Sequence, residues 1–336
     1  MKTKRALVTG ATGHLGSMLC RALVEEGVAV RAFVRKGSSR IAIADLDLEI
    51  ATGDVLDGAS FTAAARGCDV VFHAAAIFAI HTREPELLER VATMGVKNAV
   101  LAAASAGARL VHTSSVTAAG FGRFPGDVLD EDSWATDLTV PYYRAKLASE
   151  RLAIEAAAEK GVDLVRVLPA IVLGPGDYRV TPSSKLFVDM LAGRGATADG
   201  GGNVIDVRDA AKAMIAAAER GRAGGRYILG GENVNARDLG VIAERLTGRA
   251  VPHISLPRWA MTGIAAGMEL ASSLTGRAPS LTRAAVRDVF GRYLWYDVTR
   301  ARTELGLTTR PLEATLTDTA RFFEEQGLVT LRKEAA

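Results

Sequence analysis

Tyr142 and Lys146 stand four positions apart where a helical pattern begins, so one turn separates two side chains on the same face. A phenol has an ordinary pKa of about 10. A nearby ammonium favours the phenolate and makes the group a better proton donor and acceptor near neutrality. The chemistry open to such a pair is proton transfer at an oxygen. Tyrosine and lysine also meet at this spacing by chance in many helices, so the pair gains weight only from its context. Upstream, Val111-His112-Thr113-Ser114-Ser115 closes a β-rich run and leaves hydroxyls where a strand ends. Ser115, or Ser114 in its stead, can there orient a carbonyl oxygen, although serines after a strand are commonly loop or cap residues. Tyr143 has the wrong spacing from Lys146.

A second constellation opens the chain. Thr9-Gly10-Ala11-Thr12-Gly13-His14-Leu15-Gly16 follows the run Ala6 to Thr9 and leads into apolar residues at helical spacing, Leu15 to Glu26. Glycines in that place permit a tight turn, close approach to a pyrophosphate and packing of helix on strand; the helix N-terminus adds N–H donors and partial positive charge. Gly10, Thr12, Gly13, His14, Leu15 and Gly16 form the candidate nucleotide loop, against the plainer reading of a glycine-rich turn. A carboxylate at the end of the next strand would select NAD(H). The chain instead runs Val34-Arg35-Lys36-Gly37-Ser38, and Arg35 and Lys36 suit a 2′-phosphate. NADP(H) is therefore preferred, with NAD(H) as the second choice and a solvated basic loop as the alternative reading.

Positioning these groups requires a sheet whose strand ends face one crevice. Strand-like runs at Ala6 to Thr9, Val28 to Val34, Leu48 to Ala51, Val70 to Phe72, Arg109 to His112 and Leu164 to Leu168 alternate with helical patterns such as Glu86 to Ala106 and Tyr143 to Lys160. Such alternation predicts an α/β fold, a doubly wound Rossmann-type parallel sheet. After Pro169 the pattern becomes irregular, around Gly174-Pro175-Gly176 and Gly200 to Gly202. The expected organisation is a nucleotide domain over 1–170, with returns near 203–230, and a smaller substrate-binding region over 171–330. The apolar stretch Trp259 to Leu274 carries Glu269 and two glycines, and is read as a buried or site-covering helix instead of a membrane span.

Composition narrows the function. With 336 residues, 49% hydrophobic and 24% charged, the chain reads as an ordinary enzyme. A net charge of +3 from dispersed basic residues gives no footprint for nucleic acid. Cys20 and Cys68 lie far apart with no CxxC, so neither a disulfide nor a metal site is expected, and the cytoplasm is the expected compartment.

Taken in order, these motifs resemble the extended short-chain dehydrogenase/reductase superfamily, also called the NAD-dependent epimerase/dehydratase family, over nearly the whole chain. They are the glycine loop, Gly53-Asp54-Val55, His73-Ala74-Ala75-Ala76, Ser115, Tyr142 with Lys146, and Leu168-Pro169 with Gly174-Pro175-Gly176. The resemblance implies Asp54 and Val55 near the adenine and Ala74, Ala75 and Ala76 along the dinucleotide. It implies Lys146 on the nicotinamide ribose, Pro169 near the carboxamide and Ser115 on the substrate oxygen. Tyr142 would be the acid and base of a hydride transfer between nicotinamide and a carbonyl or secondary alcohol. His14 in the glycine loop and Ala92, where relatives often carry asparagine, depart from the pattern. The run Arg166-Val167-Leu168-Pro169-Ala170 lacks the asparagine typical of sugar-nucleotide enzymes, so the chain looks more like the dihydroflavonol reductase and 3β-hydroxysteroid dehydrogenase branch. An epimerase or dehydratase is the runner-up and a non-catalytic NADP sensor the third reading. The implied partner is a small, apolar carbonyl or alcohol substrate, with a homodimer expected by analogy.

Overall fold

The computed structural model describes residues 3–276, 279 and 281–332; Met1, Lys2, residues 277, 278 and 280, and the last four lie outside them. Seven parallel strands form the main sheet: β1 (Arg5–Thr9), β2 (Ala29–Val34), β3 (Glu49–Thr52), β4 (Val70–His73), β5 (Arg109–Thr113), β6 (Leu164–Pro169) and, later in the chain, Arg226–Leu229. Their spatial order runs from Arg226–Leu229 through β6, β5, β4, β1 and β2 to β3. The order reverses between β1 and β4, and a crevice opens at such a switch point beyond the carboxyl ends of the strands.

Both faces of this sheet are covered, which is why its strands read as continuous apolar runs. Alternation along β1 sends Ala6 and Val8 into one core, with Leu19 and Leu23, and Leu7 into the other, with Phe61 and Val100. The first core is closed by α1 (His14–Glu25). The second is closed by α2 (Gly58–Ala65), α3 (Pro85–Ala106) and α4 (Pro141–Lys160). Gly107 and Gly161 end α3 and α4 in the left-handed conformation at φ 62° and 64°, which glycine adopts without a Cβ penalty.

The remaining elements follow β6 in the chain. Strands β7 (Ile171–Leu173), β8 (Thr197–Ala198), β9 (Gly201–Asp206), β10 (Arg226–Leu229), β11 (Glu232–Asn235), β12 (His253–Ile254) and β13 (Tyr293–Leu294) follow in chain order. Between and after them come α5 (Pro182–Leu191), α6 (Val207–Arg220), α7 (Ala236–Thr247), α8 (Arg258–Thr275), α9 (Arg283–Val289) and α10 (Leu312–Glu325). Of the segments over 203–230, only β10 joins the main sheet; β9 lies in a second sheet, paired with β7, β11 and β13. Helix α6 between them covers the first core through Ala210, Met214 and Ala217.

One expectation is corrected here. The stretch Trp259 to Leu274 is a helix, and of the two readings given for it the buried one does not hold: only Met261 and Ala265 are buried, against Val286 of α9. Trp259 is 78% exposed and Leu274 80%. The apolar composition misled because one helix face meets only the short α9, and the rest has no described element over it. No described helix is long and apolar enough to cross a membrane.

Candidate active site

The glycine loop leaves β1 and enters α1 with a geometry that side chains would block. Gly10 sits at φ +71°, and a Cβ there would lie 2.8 Å from the backbone of Ala74. A Cβ on Gly16 would collide with the Gly10 carbonyl. The two glycines therefore let α1 close on the loop and let the loop close on the segment after β4. Thr9 fixes the same junction: its Oγ1 lies 3.0 Å from His73 Nδ1 and accepts from the Ala75 amide at 3.2 Å. Gly13 caps α1 without a side-chain bond, and the first turn holds no acid. Such a terminus suits an anion. His14 does not face that opening. Its Nε2 lies 3.2 Å from the Pro175 carbonyl and its Nδ1 3.9 Å from the Asp177 carboxylate, with burial holding its pKa below the ordinary value. The departure noted in the sequence is thus a tie between α1 and the Gly174-Pro175-Gly176 turn.

Beyond β2, Arg35, Lys36, Gly37 and Ser38 border a cavity of about 490 Å³, closed by Thr52, Gly53, Asp54 and Arg179. The basic pair from one strand end and Asp54 from the next share one wall. Asp54 Oδ1 accepts from Leu56 N at 2.9 Å, and the Val55 carbonyl accepts from Asn98 Nδ2 at 2.8 Å. A helix asparagine, six positions after Ala92, thus holds the segment that follows β3. The glycine junction, the open helix terminus and this basic cavity fit a phosphorylated dinucleotide.

The proton-transfer residues converge from α4 and the end of β5. Ser115 Oγ accepts from the Thr117 amide at 3.2 Å, just past the end of β5. Burial raises the Tyr142 phenol above its usual pKa, the neighbouring Tyr143 adds to that, and the Ser115 hydroxyl pulls it back. Lys146 is buried and donates from Nζ to the Thr113 carbonyl at 2.8 Å. Burial brings its pKa down to about 8, against the opposing charge of Glu150. The expected electrostatic pull of Lys146 on the phenol is therefore not what shifts Tyr142 here, because the ammonium is turned to Thr113.

Ser114 is occupied elsewhere: it donates to Glu150 at 2.7 Å. Glu150 is wholly buried, held by Arg226 at 2.6 Å and Arg166 at 3.3 Å, and Arg226 lies 3.9 Å over the Trp134 ring. Tyr143, the neighbour of wrong spacing, packs on Phe121 instead. His73 and His112 stack at 5.8 Å beneath the site. Burial and Lys146 hold His73 down to about 3, and burial lowers His112 as well, so both are neutral structural rings. Pro169 ends β6, and Ala170 N donates to Leu229 O at 3.0 Å beside it.

Four residues at or around the site were not found from the sequence. Phe78, in the loop after β4, covers Tyr142 at 4.7 Å between ring centres. Asp288 anchors the start of α4 through Thr139 and Val140. Arg179 belongs to the basic cavity. Glu150 alone had a signal, because it continues the period of four from Tyr142 and Lys146 along one helix face.

The description of the NAD dependent epimerase/dehydratase family matches residues 6–230, the span that builds both the glycine loop and the Tyr142 site. The chain belongs to this family. Among curated members, a Synechocystis protein provisionally named dihydroflavonol 4-reductase is 33% identical over 330 residues, covering 96% of this chain and 95% of its own. Cinnamoyl-CoA reductase 1 of Petunia hybrida is 36% identical over 238 residues, 66% of this chain and 71% of that protein. Among solved structures, gox2253 superposes with a TM-score of 0.85 at 32% identity, covering 97% of this chain and all of that one. Members of the epimerase/dehydratase family thus include reductases similar to this chain, which supports an oxidoreductase.

Proposed function

We propose that the chain is an NADP(H)-dependent oxidoreductase acting on a carbonyl or secondary alcohol of a small, apolar substrate. The observation that carries this is the placement of Tyr142 and Lys146 one turn apart on α4, with Ser115 just past the end of β5 and Ser114 engaged by Glu150. Gly10, Gly13 and Gly16, with the backbone at Thr12, His14 and Leu15, would hold the pyrophosphate. Asp54, Val55, Ala74, Ala75 and Ala76 would line the dinucleotide, and Pro169 would face its carboxamide. Arg35 and Lys36 would take the 2′-phosphate, since no carboxylate stands at the end of β2.

The nicotinamide supplies the hydride when bound. Ser115 holds the substrate oxygen, and Tyr142 delivers or accepts its proton at Oη. Lys146, buried and protonated at neutral pH, donates to the Thr113 carbonyl and would reach the nicotinamide ribose. Phe78 over Tyr142 sets an apolar ring beside the phenol and favours an apolar ligand. The work of the chain is orientation and charge.

The test is titration of the purified protein with NADPH and NADH, followed by NADPH oxidation against ketones, aldehydes and UDP-sugars. Selective NADPH binding with carbonyl-dependent oxidation is expected. Interconversion of a sugar epimer without net oxidation would replace this reading by the epimerase one, and cofactor binding without any turnover by the sensor.

A further inference from the structure

The loop between β7 and α5 reaches back over the glycine loop, and none of the chemistry above uses it. Arg179 Nη2 donates to Thr12 Oγ1 at 2.9 Å, across 167 positions of sequence. Its side chain also closes the 490 Å³ cavity bordered by Arg35, Lys36 and Ser38. The loop is built to hold an exposed arginine there. Its neighbour Tyr178 packs edge-on to Phe322 at 5.2 Å, and Val180 packs against the apolar cluster around Phe187 and Leu191. Val180 takes φ +50°, a conformation that a β-branched residue adopts only when its surroundings force it. The buried Asp177 accepts from Thr181 N at 2.8 Å and Thr181 Oγ1 at 2.7 Å, and its carbonyl accepts from Val180 N at 3.1 Å. Pro175, two residues before Asp177, is tied to α1 by His14.

We propose that Arg179 is a specificity-determining residue for the nucleotide, the third cation on the 2′-phosphate together with Arg35 and Lys36. This rests on the NADP(H) reading above. Of the residues bordering the cavity, Asp54 alone is acidic, and one of its oxygens already accepts from Leu56. Three cations against one carboxylate leave a positive wall. A phosphate neutralises it with charge-assisted bonds, whereas a ribose hydroxyl gives a guanidinium far less.

Binding of NADPH and of NADH to the full chain, measured by calorimetry for wild type, Arg179→Gln and Arg179→Lys, tests this directly. Arg179 is exposed, so Arg179→Gln should melt as wild type does. Arg179→Gln should weaken NADPH by about tenfold or more and NADH by about twofold at most, with Arg179→Lys between. Unchanged NADPH affinity in Arg179→Gln overturns the proposal while leaving the cofactor reading intact. Equal weakening of both cofactors overturns it too, since Arg179 would then act on the shared diphosphate. Wild type that binds both cofactors equally overturns the cofactor reading and this inference together.

Discussion

Asp288 Oδ2 accepts from the Val140 amide at 2.7 Å and from the Thr139 amide at 2.8 Å, while Oδ1 accepts from Thr139 Oγ1 at 2.6 Å. Val140 caps α4 and makes no side-chain cap bond, so a carboxylate from α9 supplies what the local sequence lacks. It also places negative charge at the positive end of the helix that carries Tyr142 and Lys146. Asp288→Ala should cost about 0.5–2 kcal/mol in urea unfolding. It should lower kcat more than NADPH affinity, because Tyr142 is misplaced and the glycine loop is untouched. Wild-type kcat in that variant would show that the cap does not position the tyrosine.

Tyr142→Phe removes the phenol hydroxyl and leaves the ring under Phe78. NADPH binding should stay close to wild type while kcat falls roughly 10²–10⁴-fold, the usual worth of a positioned general acid. Single-turnover measurement with saturating NADPH separates the two effects, and near-normal turnover would remove Tyr142 from the proton-transfer role.

Lys146 governs the alkaline limb of the pH profile. Its folded pKa of about 8 lies below its ordinary 10.5, so the folded chain gives up this proton before the unfolded chain does. The destabilising cost of burying the ammonium is complete below pH 8 and shrinks as pH rises toward 10.5. A Lys146→Met variant should therefore gain melting temperature relative to wild type near pH 7, and that gain should narrow by pH 10. Turnover of wild type should fall with an apparent pKa near 8 as the charge is lost. A flat rate from pH 7 to 9 would contradict an ammonium requirement.

Glu150 is the hub whose loss should be felt most by the fold. It accepts from Ser114, Arg166 and Arg226 with no exposed surface, and Arg226 is itself only 4% exposed. Glu150→Ala strands a buried guanidinium, an effect of about 3–5 kcal/mol. Glu150→Gln keeps part of the bonding and should lose less. Thermal and urea unfolding of the two variants should rank them in that order; equal stability to wild type would mean the network contributes nothing.

The sheet of alternating strands and helices was legible because its cause is local: both faces of the central strands are buried, so apolar runs and helical periods recur along the chain. The glycine loop and the Tyr142–Lys146 spacing were legible for the same reason, since a tight turn and a single helical turn are short-range geometry. Asp288 capping α4, Arg179 on Thr12 and Phe78 over Tyr142 were not, because each joins segments that only the folded chain brings together. The exposure of α8 was hidden as well, since an apolar composition states what a helix could bury and not whether anything lies over it. By itself the sequence determined the α/β class, the nucleotide loop and the spacing of the proton-transfer pair. Only the tertiary structure decided how the two adjacent serines are engaged. Neighbouring side chains leave an extended backbone on opposite sides, so Ser114 donates to Glu150 on the packed helix while Ser115 Oγ accepts from the Thr117 amide.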